Sequence, residues 1–163
     1  MSKKLFGCGA VVVVLAGILV LAGGFLLWGM GVYNNLVGLD EGVKTAWSQV
    51  ENTYQRRADL IPNLVKTVEG AADFERATLT EVVEARAKAT QVQITPGDLT
   101  NPEALARYQQ AQDALSSALS RLMVVVERYP ELKANQNFIQ LQDELAGTEN
   151  RIAVERMRFN ETA

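Results

Sequence analysis

The side chains of this 163-residue chain that are able to do chemistry are carboxylates, guanidinium groups and amides; their densest cluster is Arg56, Arg57, Asp59 and Asn63, with Pro62 among them. Arg56 and Asp59 stand three residues apart, a spacing that lets two side chains meet on a helix surface. Two readings of the cluster are open. In one, Arg56, Arg57, Asp59 and Asn63 form the rim of a partner or subunit surface. In the other, Arg57, which falls in phase with the apolar residues around it, pairs with an acid on another helix, and its neighbours only shape the chain at Pro62. Arg86, Glu149 and Arg156 also fall in phase with apolar stripes. A buried charge must be paired, so these three are expected to form a structural polar layer whose benefit is helix register.

No residue is histidine and only Cys8 is cysteine, which removes a histidine general base, a Cys/His zinc site and an intrachain disulfide. Glu81 and Glu84 stand one turn apart, as carboxylates do in bundle metal sites, but that pattern adds a Glu-x-x-His pair on two helices. Serine and threonine lack a recognisable base, and no glycine-rich phosphate loop follows a strand. The expectation is a protein that is not an enzyme, with no catalytic residue, no cofactor and no metal. Trp47 and Tyr54 read as core rather than as a ligand platform. Two of the sixteen basic residues, Lys3 and Lys4, precede the first acid, Asp40, leaving fourteen bases against nineteen acids on the remainder, a net −5. Such a surface repels phosphate backbones, and nucleic acid is not an expected partner.

These residues need elements to carry them, and the first is a membrane segment. No charge occurs from Leu5 to Leu39, and the 28 positions 5–32 are almost wholly apolar; as a helix they span roughly 42 Å against a hydrocarbon core of about 30 Å. A cleaved signal peptide would share the Lys3-Lys4 start, but its apolar core is about 7–15 residues long. Here the run continues through Phe25, Leu26, Leu27 and Trp28. A retained single-pass anchor in membrane lipid is expected, with Trp28 and Tyr33 at the far interface. Lys3 and Lys4 put the N-terminus in the cytoplasm and the remainder outside. Ala10, Gly17, Gly24, Gly31 and Gly38 recur every seventh residue. Small residues let helices approach closely in lipid, and a seven-residue period keeps them on one face of a left-handed coiled coil. They are expected to be an oligomer interface in the membrane, against the plainer reading that membrane helices are simply glycine-rich.

Beyond the anchor, Leu36, Leu39, Val43, Trp47, Val50, Tyr54, Ile61, Leu64 and Val68 step by three or four, which predicts a helix continuous with the anchor. Pro62 removes a ladder hydrogen bond, so the chain either kinks or turns there; the unbroken apolar phase favours a kink, with the turn near 70–73. Leu79, Val82, Val83 and Ala89 predict a second helix over 73–92. Pro96-Gly97-Asp98 marks a turn, and Asn101-Pro102-Glu103 opens a third helix with an N-cap, a proline and an acid. That helix runs to Tyr129, where Pro130 ends it. Phe138, Leu141, Leu145, Ile152 and Phe159 form the stripe of a fourth, starting near Asn135. Short connections make sequential helices antiparallel. The expected fold is all-α, an N-terminal transmembrane helix followed by an antiparallel up-and-down four-helix bundle. Its domains are a short basic N-terminus (1–4), the transmembrane helix (5–32) and the bundle (33–163).

Six segments then resemble one family: Tyr33-Asn34-Asn35-Leu36-Val37, Ala46-Trp47-Ser48-Gln49-Val50, Gln55-Arg56-Arg57-Ala58-Asp59-Leu60-Ile61-Pro62-Asn63-Leu64-Val65, Glu84-Ala85-Arg86-Ala87-Lys88-Ala89, Tyr129-Pro130-Glu131-Leu132-Lys133-Ala134-Asn135 and Gly147-Thr148-Glu149-Asn150-Arg151-Ile152-Ala153-Val154. In order, over nearly the whole chain, they look like the LemA family of bacterial membrane proteins. The resemblance implies a membrane-anchored helical bundle in a bacterial cell envelope, in the cytoplasmic membrane, without established catalytic residues. Members of that family usually continue further, so the fourth helix is expected to be cut short at Ala163. The leading functional reading is a non-catalytic scaffold or structural protein, a homo-oligomer assembled through anchor and bundle, with other envelope proteins or membrane proteases as further partners. The alternative is a sensor or adaptor module that binds a ligand or partner protein and acts through a partner chain.

Overall fold

The computed structural model describes residues 3–71 and 74–163, with side chains from Val13 onward. Every regular element among the described residues is helical: α1 (Lys3–Glu69), α2 (Arg76–Gln91), a 3-10 turn (Pro96–Thr100), α3 (Pro102–Val126), the single turn α4 (Pro130–Lys133) and α5 (Gln136–Thr162). The chain divides into two compact units, Met1–Val43 and Lys44–Ala163. In the first, α1 contains an 18-residue stretch of mean hydropathy 2.3, none of it buried, which is long and apolar enough to cross a membrane. Leu36 and Leu39, in phase with buried residues further along α1, are exposed as well.

The second unit is built on the 3.6-residue period. Ile61, Leu64 and Val68 of α1, Val82 of α2, Leu115 and Leu122 of α3 and Phe138 of α5 are at most 2% exposed and lie in one core cluster. Each such burial is worth about 1.5–3 kcal/mol of transfer free energy before chain entropy is charged against it. α1 is continuous through Pro62, so the chain does not turn there; the turn follows Glu69, where Ala71 N donates to Val68 O at 3.0 Å. Val83 departs from expectation and is 48% exposed. One residue advances a helix by about 100°, and Leu79, Val82, Ala85 and Ala89 already occupy the inward face of α2.

Helix ends follow local chemistry. Asn101 Oδ1 accepts from Glu103 N at 3.0 Å and Asn135 Oδ1 from Asn137 N at 2.9 Å, capping α3 and α5. α3 stops at Val126, short of the end expected at Tyr129, because residues 127–129 turn into α4, whose Leu132 is buried in the core cluster. Pro130 starts that turn, where a missing N–H costs nothing.

Candidate functional site

Proline has no N–H, so within a continuous α-helix Pro62 leaves the carbonyl of Ala58, four residues earlier, without its ladder donor. α2 supplies a replacement: Arg86 Nε donates to Ala58 O at 2.7 Å. The adjacent residue, Arg57, points into the core and is 1% exposed. Its Nη1 donates to Glu149 Oε1 at 2.7 Å and to Ser116 Oγ at 2.6 Å. Its Nη2 donates to Gln112 Oε1 at 2.7 Å and to Gln112 O at 3.2 Å. The guanidinium carbon also lies 5.1 Å from the centroid of the Tyr54 ring, within cation–π range.

Gln112 is buried and spends its other end on α2, Nε2 donating to Ala89 O at 3.3 Å. That carbonyl belongs to the last turn of α2, where no ladder donor remains. Two consecutive residues of α1, Arg57 and Ala58, thus bind α2, α3 and α5 through polar contacts at one level of the core. An arginine held by one anionic and three neutral acceptors is a structural cation. It is fixed in place, and slippage of α1 or α3 by a turn would break several of these bonds at once.

An aromatic cluster lies beside this hub. Trp47 meets Tyr108 and Phe159 edge-on, with ring centroids 5.3 and 5.2 Å apart, and Tyr54 meets Tyr108 at 5.5 Å. Burial pushes both phenols above the usual tyrosine range; for Tyr54 the Arg156 and Arg57 charges oppose that shift, and for Tyr108 the neighbouring Tyr54 adds to it. Among the described residues, Trp47 Nε1 and Arg57 Nε are the buried side-chain donors without a partner.

The residues singled out in the sequence fall into different places. Arg56, Asp59 and Asn63 are exposed, whereas Arg57 is interior, so the four do not share one surface. The reason is helical phase: Arg57 lies on the face of Tyr54, Ile61 and Leu64, and the other three lie off it. Asp59 accepts from Gln55 Nε2 at 2.8 Å. Arg86, Glu149 and Arg156 are half-buried and do not bond to one another. Arg86 serves Ala58, Glu149 serves Arg57, and Arg156 approaches Asp113 Oδ1 at 3.8 Å. Glu81 is tied to Arg121 across α2 and α3. Gly17, Gly24, Gly31 and Gly38 are exposed on α1, and the side chain of Ala10 lies outside the described residues.

Gln112 and Ser116 were not singled out beforehand. Gln112 had a readable signal, because it stands between Tyr108 and Leu115 at the position where the apolar stripe of α3 calls for a hydrophobic residue. Thr148 fills a similar place in α5 and spends its hydroxyl on Glu144 O at 2.7 Å.

Comparison with known proteins adds kinship. The chain is 27% identical over 150 residues to magnetosome protein MamQ 2 of Paramagnetospirillum magneticum, covering 80% of this chain and 54% of that protein. It is 26% identical over 147 residues to magnetosome protein MamQ of Magnetospirillum gryphiswaldense, with 80% and 54% covered. It is 24% identical over 131 residues to protein LemA of Metamycoplasma hominis, with 80% and 56% covered. The chain thus spans about half the length of the curated relatives it matches. The model of the LemA family matches residues 46–163, the stretch that carries the polar hub, the aromatic cluster and the core. With most of its length under that match, the chain belongs to the LemA family.

Proposed function

We propose that this protein is a non-catalytic, membrane-anchored scaffold of the bacterial cell envelope. Its second unit is read as an antiparallel up-and-down four-helix bundle, held in register by the Arg57 hub, and copies associate through the glycine face of α1. The observation that carries the reading concerns those glycines. A Cβ added at Gly17, Gly24, Gly31 or Gly38 meets nothing within 4 Å. Nothing among the described residues calls for glycine there, although glycine costs a helix interior about 1 kcal/mol against alanine. A requirement for small side chains every seventh residue therefore points to a neighbour outside the chain, and a second α1 in the bilayer fits it. The hydrogen bonds that Arg57 donates to α3 and α5 and the one that Ala58 O accepts from α2 support the bundle arrangement, and the bacterial relatives support the envelope.

The test is the native mass of the detergent-solubilised chain carrying Gly17→Leu, Gly24→Leu and Gly31→Leu. Because the added side chains meet nothing in their own chain, the fold is expected to survive while the particle shrinks. An unchanged mass would refute assembly through this face. Lys3 and Lys4 support a cytoplasmic N-terminus with the second unit outside. Protease added to intact spheroplasts is then expected to reach that unit, and full protection until the membrane is opened would reverse the orientation.

A further inference from the structure

α2 and α3 form a groove whose charges are sorted by helix. A recess of about 580 Å³ has Ala77, Thr78, Val124 and Val125 in its lining. Val124 projects, 71% exposed, in a run of five apolar residues, Leu122 to Val126, at the end of α3 that exceeds what one buried face of a helix needs. Two ion pairs frame the recess. Arg128 Nη2 donates to Glu75 Oε2 at 2.9 Å at one end, and Arg121 Nε donates to Glu81 Oε2 at 3.0 Å at the other. Both acids belong to the α2 side and both bases to the α3 side. The pairing also shows that α2 and α3 run antiparallel in register, with Ala77 and Val124 at the level between the pairs.

That pattern is complementary to itself. We infer that this face docks a second copy of the chain about a two-fold axis running along α2 and α3. The inference rests on the self-assembly proposed above and names a face of the second unit that takes part. Such an axis keeps each residue at its own height and lays the partner's α2 over this chain's α3. Glu81 of each copy then faces Arg121 of the other, Glu75 faces Arg128, and the projecting Val124 lies over the small Ala77. A two-fold contact requires this kind of mutual match, each patch meeting its own image. The charges can serve twice. All four side chains are 48% exposed or more, and a carboxylate accepts about four hydrogen bonds while a guanidinium donates about five. The contact is small, but copies confined to one bilayer meet at a high effective concentration, so modest area suffices.

The test uses two differently tagged full-length chains in the membrane, both Cys8→Ser, one carrying Ala77→Cys and the other Val124→Cys. Mild oxidation is expected to join the two tags. The same experiment with Met157→Cys, an exposed position on α5, in place of Ala77→Cys is expected to give several-fold less product. Equal products from both pairs, or none from either while the solubilised particle stays oligomeric, would overturn this face and leave self-assembly standing. A monomeric particle would overturn both. A charge exchange gives a second readout that needs no loss of folding. Cysteine-bearing chains with Glu81→Arg and Arg121→Glu keep the internal pair and are expected to cross-link to one another as the unexchanged cysteine-bearing chains do. Exchanged chains mixed with unexchanged ones bring like charges together, and their mixed product is expected to fall several-fold. A mixed product as abundant as the matched ones would also overturn the inference.

Discussion

Removing the carboxylate of Glu149 tests whether the hub holds the second unit together. In Glu149→Ala, Arg57 stays interior and keeps Ser116 and Gln112 as acceptors but loses the anionic one. Breaking a fully buried ion pair costs about 3–5 kcal/mol. The Glu149 side chain is 41% exposed, so solvent screens its charge and water reaches the vacated position; the expected loss is about 1–3 kcal/mol. Arg57→Ala should cost more, about 3–5 kcal/mol, because it opens a void and strands Gln112, Ser116 and Glu149 together. Arg57→Met with Glu149→Leu fills the space without a charge and is expected to recover much of that loss. The readout is urea unfolding of the detergent-solubilised chain followed by the fluorescence of Trp47. Trp28, the other of the two tryptophans, is replaced by Phe so that the signal reports the second unit alone. With a slope of about 1–3 kcal/mol per molar urea, a loss of 2 kcal/mol moves the midpoint by about 1 M. A Glu149→Ala midpoint indistinguishable from wild type, with Arg57→Ala costing under about 1 kcal/mol, would refute the reasoning.

Other consequences follow from the same geometry. Pro62→Ala restores the N–H that Ala58 O lacks, so Arg86→Met is expected to cost about 1–3 kcal/mol in the wild-type background and about 1 kcal/mol less beside Pro62→Ala; a double-mutant cycle that closes to zero would separate Arg86 from the proline. Tyr54 and Tyr108 have folded pKa values raised above the ordinary 10.0. Their contribution to stability is therefore complete below that pH and declines as pH climbs through the folded values. The urea midpoint is expected to fall above pH 10, and Tyr108→Phe to flatten the fall; an unaltered alkaline slope in that variant would assign it to other groups. The triple glycine substitution and the paired cysteines provide two further tests, read as particle mass and as cross-linked product.

Much of the architecture was legible because it depends on local repetition. An uncharged apolar run announces a helix that can cross a membrane, and a 3.6-residue period announces the helices after it, whatever they pack against. The continuity of α1 through Pro62 was readable for the same reason, since the apolar phase does not break there. Charged residues standing in phase with apolar ones, Arg57 and Glu149 among them, were visible as groups that must find partners. Which partners they find was not visible. The acceptors of Arg57 lie 55, 59 and 92 residues away in sequence, and periodicity carries no information about separations of that kind. Arg86 shows the division most plainly. Its chemistry and the missing proton of Pro62 are both written in the residue types, but only packing brings α2 alongside α1 at the level where one supplies what the other lacks. Val83 shows it from the other side: its residue type belongs in a core, and the rotation of α2 against its neighbours leaves it in the open. Composition and period decide which faces seek cover, and the tertiary structure decides which groups meet, because those meetings depend on distances that only a folded chain defines.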